Sequence, residues 1–126
     1  MTKEIKVSDD GKYIIVRVNE DMTRTLAESL GLEAMHLGST KNITKYLYDL
    51  RNSHNKETIN ANYIFANKDL KRLEPNPANK IAMLTSPNDK SHDFIETVLR
   101  NAGYDVKLFI LEEEAAAWLE KDTNIL

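Results

Sequence analysis

The sequence predicts an α/β domain: a mainly parallel five-stranded sheet, opened by an antiparallel hairpin and joined by about four helices, in the order ββαβαβαβα. Three observations lead there. Short runs rich in β-branched and aromatic residues recur at Lys12–Val18, Tyr46–Leu50, Ile81–Leu84 and Val106–Ile110. The segments between them carry apolar residues at helical spacing. Asp10-Gly11 separates the first two extended runs, and Asp-Gly there signals a hairpin because Gly11 accepts positive φ at little steric cost.

Taken in order, Lys3–Val7 alternates, with Ile5 and Val7 on one face, and is polar enough for a sheet edge. Lys12–Val18 is nearly continuous in apolar residues, as a strand covered on both faces would be. Asn19-Glu20-Asp21 then opens a helix, with Leu26, Leu30, Ala34 and Leu37 as its buried stripe and Gly38 as its stop. Tyr46–Leu50 is the third strand, followed by the polar loop Arg51-Asn52-Ser53-His54-Asn55-Lys56. From about Glu57 to Leu73, the residues Ile59, Tyr63, Ala66, Leu70 and Leu73 predict an inward stripe, ended by Pro75 and Pro77. Ile81–Leu84 is the fourth strand. Ser86 or Asn88 caps the next helix, whose apolar face is Phe94, Ile95, Val98, Leu99 and Ala102, and Gly103 ends it. Val106–Ile110 is the fifth strand. Glu112-Glu113-Glu114 opens a last helix beside the positive end of its dipole, Trp118 covers a seam, and Asp122–Leu126 is expected to fray. Strands alternating with helices imply right-handed crossovers and a largely parallel sheet.

At 126 residues, 41% apolar and 29% charged, the chain reads as one domain over 1–126 with a sizeable core. A net charge of −3 gives no general attraction to nucleic acid or to anionic lipid, so no nucleic-acid partner is expected. With no cysteine, disulfides and thiolate metal sites are excluded. The opening MTKEIKVSDDG has no apolar h-region, and no apolar run approaches the roughly 20 residues of a membrane span, so a cytoplasmic location is expected.

Several stretches together carry a family resemblance. They are Asp49-Leu50-Arg51, Lys80-Ile81-Ala82-Met83, Phe94-Ile95-Glu96-Thr97-Val98, Asn101-Ala102-Gly103-Tyr104, Val106-Lys107-Leu108-Phe109 and Glu113-Glu114-Ala115-Ala116-Ala117-Trp118-Leu119. In this order and spacing the chain resembles the SpoIIAA-like fold of STAS domains, and within it the small bacterial STAS/SEC14-type proteins. The resemblance spans nearly the whole chain. It implies a fold and a habit of binding proteins or apolar ligands. In the anti-sigma-factor antagonists of that fold a phosphorylatable serine opens the helix after the third strand. The comparable stretch here is Lys56-Glu57-Thr58-Ile59-Asn60, where Glu57 stands for the family's aspartate. The serine position falls on Ile59, with Thr58 one residue early, which argues against an orthodox phospho-switch and leaves phosphorylation of Thr58 open.

Open α/β sheets gather ligands at the carboxyl ends of their strands. That edge collects Arg51, Asn52, His54 and Thr58 from one loop and Thr85 and Ser86 from the next, the candidate ligand or partner site. The plainer reading of these six is that they cap helices and fill turns. His36, His54 and His92 stand on different elements without a positioned partner. His92, on an early polar stretch of helix, is expected to be solvated, and only His54 reaches the ligand edge. Asp49 raises a receiver-domain alternative, but its acidic pair for magnesium would have to come from Asn19-Glu20-Asp21 and the opening hairpin is wrong for that fold; a salt bridge or loop cap is favoured. Glycine at only 11, 31, 38 and 103 excludes the dinucleotide and P-loop fingerprints. The aromatics fall on strands and helix faces, as core residues would.

The sequence thus points to a non-enzymatic binding or regulatory module, with a protein partner contacting Arg51–Thr58 and the start of the second helix. The alternative is a small apolar-ligand or lipid carrier, for which Ile64 and Phe65, off the main stripe, would line a groove or equally meet a twin chain in a homodimer. An enzyme is a minority reading. No catalytic residue, metal site or cofactor is assigned.

Overall fold

Five strands lie side by side in chain order: β1 (Lys3–Val7), β2 (Ile14–Val18), β3 (Lys45–Asp49), β4 (Lys80–Leu84) and β5 (Asp105–Phe109). The computed structural model describes residues 2–121, so the expected frayed tail, Asp122–Leu126, lies outside the described residues. β1 pairs antiparallel with β2, from Lys3 opposite Val18 to Val7 opposite Ile14. The remaining three ladders are parallel. Gly11 takes φ +74° in the hairpin turn, as its Asp-Gly signal predicts.

The helices are α1 (Arg24–Lys41), α2 (Ile59–Ile64), α3 (Leu70–Arg72), α4 (Asp93–Asn101) and α5 (Glu112–Glu120). A π-helical segment, Phe65–Asp69, fuses α2 and α3 into one rod, its wider turn marked by the bond from Leu70 N–H to the Phe65 carbonyl. Strand residues alternate between two faces. On one, Ile14, Val16, Tyr46 and Met83 meet Leu30 and Ala34 of α1, Ala66 and Leu70 of the rod, and Ile95 and Leu99 of α4. On the other, Leu47, Ala82, Leu84 and Phe109 meet Ala115 and Leu119 of α5. Three successive crossovers of one hand between neighbouring parallel strands put their helices on one side, and α5, which starts no further strand, is free to cover the other.

Four details depart from the sequence reading. First, α1 begins at Arg24, capped by Thr23, rather than at Asn19–Asp21. The chain stays extended because Met22 bridges Asn55: Met22 N–H donates to the His54 carbonyl at 2.8 Å and Lys56 N–H to the Met22 carbonyl at 3.1 Å. Second, α1 runs past Gly38 to a left-handed Asn42, φ 58°. Gly38 is needed for closeness instead, since a Cβ there would run into the Tyr46 hydroxyl and stand 2.8 Å from the Ile43 carbonyl. Third, the rod buries Asn62, Ala66, Asp69 and Leu70, whereas Ile59 and Tyr63 face out, 71% and 53% exposed. Inward residues at 62, 66 and 70 keep a spacing of four, which the wide π turn sustains and an ordinary helix would let drift. Fourth, α4 starts at Asp93, well after Ser86 and Asn88, because Ser86–Ser91 form a tight turn in which Asp89 N–H donates to the Ser86 carbonyl and Ser91 N–H to Asp89 Oδ1.

α5 ends on a buried cation. Lys80, 4% exposed on β4, donates from Nζ to the Trp118 carbonyl at 2.5 Å and the Lys121 carbonyl at 3.0 Å, and lies 4.4 Å from the centre of the Trp118 ring. An ammonium there satisfies carbonyls that the helix end leaves over and suits the negative end of its dipole.

Candidate functional site

The six residues chosen from the sequence do lie near the carboxyl ends of β3 and β4, but they do not converge. Arg51 turns to the α5 side of the sheet, donating to Asp49 Oδ1 at 2.9 Å and Asp49 Oδ2 at 2.8 Å and reaching Glu112 Oε1 at 3.4 Å. Arg17 Nε donates to the same carboxylate at 3.1 Å. Burial works to raise the Asp49 carboxyl, but the Arg51 and Arg17 guanidiniums outweigh it and hold the group below the usual carboxylate range. Asp49 is therefore the salt-bridged residue that the sequence reading favoured over a receiver-type phosphoacceptor. Ser86 Oγ donates to the Arg51 carbonyl at 3.0 Å, and Asn52 Nδ2 to Asn19 Oδ1 at 3.3 Å. Thr58 Oγ1 accepts from Ala61 N–H and caps α2. Thr85 is buried. His54 Nδ1 lies 3.3 Å from Asp89 Oδ1, in the turn before α4.

A different set of residues surrounds an opening. Between the sheet and the starts of α1, α2 and α4 lies a cleft of about 100 Å³. Its floor is Tyr48 and Leu50 of the β3 edge with Ile81 and Met83 of β4; its walls include Leu30, Phe65 and Ile95. Its surface is overwhelmingly apolar. Of the two groove residues that the sequence offered, Phe65 lines the cleft and Ile64 does not, and the π turn that begins at Phe65 shapes this wall. A wider, half-polar groove of about 420 Å³ lies at the opposite edge of the sheet, between the end of α1 and the loop through Pro75.

One continuous polar chain borders the cleft. Glu57 Oε2 accepts from Arg24 N–H at 2.7 Å, and Glu57 N–H donates to Asn55 Oδ1 at 3.0 Å. Asn55 then donates from Nδ2 to Asn62 Oδ1 at 3.1 Å and from its backbone N–H to Ser91 Oγ at 2.9 Å. Beside Ser91 is His92, which is not solvated as the sequence suggested but 1% exposed, because the Ser86–Ser91 turn swings it inward before α4 starts. Its Nε2 lies 2.8 Å from the Ser53 carbonyl, an acceptor only, so Nε2 carries a proton there, and in the tautomer with its one proton on Nε2 the Nδ1 is an acceptor; Asp89 Oδ2 stands 3.9 Å from the same Nε2. Arg24 also clamps Asp69 from below, with Nε to Oδ2 at 2.5 Å and Nη2 to Oδ1 at 3.1 Å, and Arg72 adds a third contact at 2.7 Å.

Two side chains of this cleft stand out. Tyr48 lies on the central strand beneath the helical layer, yet it is only partly buried, because the cleft reaches down to it. Among the described residues neither its hydroxyl nor His92 Nδ1 has a hydrogen-bond partner. Burial pushes the Tyr48 phenol up, so the hydroxyl stays un-ionised at neutral pH and is a donor. Sequence reasoning missed both: a tyrosine on a core strand and a histidine after a turn look like core and surface. The available signal was Asn62, a polar residue at an inward helical position. Among the described residues no three His, Asp or Glu side chains converge as a metal site would require, and no helix is long and apolar enough to cross a membrane. Compared with protein-family models and with curated proteins, the chain matches none.

Proposed function

We propose that this protein is a non-enzymatic binding module that takes a small, mostly apolar molecule into the cleft between the sheet and the starts of α1, α2 and α4. The observation that carries this reading is Tyr48: a central-strand side chain under three helices that keeps accessible surface. Protein interiors close such gaps, because each void forfeits dispersion contacts. A retained, apolar, partly open cleft with few polar groups is the usual form of a small-molecule site. Its volume of about 100 Å³ is nearer to that of an engineered apolar cavity of about 150 Å³ that admits benzene than to the 300–1,000 Å³ of drug-sized sites. The reading therefore favours a ligand the size of a single ring over a lipid acyl chain. The resemblance to STAS and SEC14-type domains supports it more coarsely, through that group's habit of binding proteins or apolar ligands.

The test is thermal unfolding with toluene as probe. Binding to the folded state alone adds about 1.4 kcal/mol at ten times the dissociation constant, a rise of several degrees in Tm. Ala27→Leu, which fills the α1 wall, is expected to abolish the rise; no shift at saturating toluene would refute the reading. A second reading, a protein partner on the outer face of α2, is favoured by the outward Ile59 and Tyr63. Light scattering that gives a dimer, dispersed by Ile59→Ser, would support it, and a monomer at all concentrations would count against self-association.

A further inference from the structure

Resting on the cleft reading above, we infer that the cleft selects molecules with one neutral hydrogen-bonding head, such as a hydroxyl, on a small apolar body, and that Tyr48 Oη and His92 Nδ1 read that head. Both residues line the cleft, and both present an atom without a partner among the described residues. Tyrosine hydroxyls beneath a layer of helices normally find a partner, and one that reaches an apolar cleft is placed to take it from a ligand. The two atoms are also complementary. The Tyr48 hydroxyl donates, and His92 Nδ1 accepts because Nε2 spends the ring's proton on the Ser53 carbonyl at 2.8 Å. A hydroxyl head both accepts and donates, so it answers the chemistry of either atom. A charged head is disfavoured: the nearby ionic groups are committed elsewhere, Arg24 to the buried Asp69, Glu57 to the N–H of Arg24, and Asp89, 3.9 Å from His92 Nε2, to the N–H of Ser91 and to His54. An ion entering an apolar cleft without a counter-charge would lose its hydration uncompensated.

The experiment titrates phenol and toluene, matched in size, into the native protein and Tyr48→Phe, which removes one oxygen and keeps the ring. Phenol affinity should fall about 3- to 10-fold in Tyr48→Phe, the loss of one neutral hydrogen bond, while toluene affinity changes less than about twofold. In the native protein, phenol should move the ¹⁵N resonance of His92 Nδ1 and toluene should leave it in place. This second reading needs no substitution at His92, whose bond to Ser53 also serves the fold. If both molecules bind, Tyr48→Phe weakens neither selectively and Nδ1 does not respond, the inference is overturned and the cleft reading stands. If phenol affinity falls in Tyr48→Phe while Nδ1 stays still, the role of His92 is overturned. If neither molecule binds, the cleft reading itself fails and takes this inference with it.

Discussion

Asp69 is the residue on which the geometry of the rod turns. It lies in the π segment, 2% exposed, and is gripped by Arg24 from α1 and by Arg72 one turn along. A buried carboxylate is tolerated only when its charge is met, and here two guanidiniums meet it. Hydrogen bonds from Arg24 are the chief reason that its carboxyl is held below the usual range, against the opposing effect of burial. The sign of the pH effect follows. The folded value is below the unfolded value of about 3.9, so the stabilisation is complete above that pH and is lost as the pH falls through the folded value. Asp69→Asn should cost about 1.5–3 kcal/mol at pH 7 in urea denaturation and flatten the acid limb of the stability curve. An unchanged acid limb would mean that Arg24 does not hold Asp69 in solution.

At the scale of elements, the rod makes the sharpest claim, because sequence periodicity and structure disagree about its inner face. The stripe Ile59, Tyr63, Ala66, Leu70 reads as one face of an ordinary helix, yet only its second half is buried. Leu70→Ala should therefore cost about 2–4 kcal/mol, as buried Leu truncations do, whereas Ile59→Ser should stay within about 0.5 kcal/mol. Equal costs at the two sites would mean that the rod is an ordinary helix in the sequence-predicted register. The strands and their order were legible, because each is a compact apolar run and Asp10-Gly11 and Gly103 mark turns where φ is positive, +74° and +99°. Helix starts were less so. Asn19–Asp21 and Ser86–Asn88 carry good capping residues, but the Met22–Asn55 bridge and the turn around Asp89 occupy the chain first. No local rule encodes a bridge to a loop more than thirty residues away.

For the whole molecule, the layered arrangement determines where a site can be. Three crossover helices on one face start at the carboxyl edge, and their first turns diverge enough to leave the cleft over β3 and β4. Sequence reasoning located this edge but selected its polar loop residues, and most of those hold the loops together or turn toward α5. The cleft itself was illegible because Leu30, Tyr48, Phe65 and Ile95 are core-type residues from four separate elements. Only their packing distinguishes a lined opening from a filled core. What the account claims is that this opening admits a ligand while the α5 face stays closed. Methyl-resolved NMR during a toluene titration tests that most directly. The account predicts saturable shifts for Leu30, Met83 and Ile95 and none for Leu47, Leu84 or Leu119 on the other face. Shifts spread evenly over both faces, or none that saturate, would contradict it.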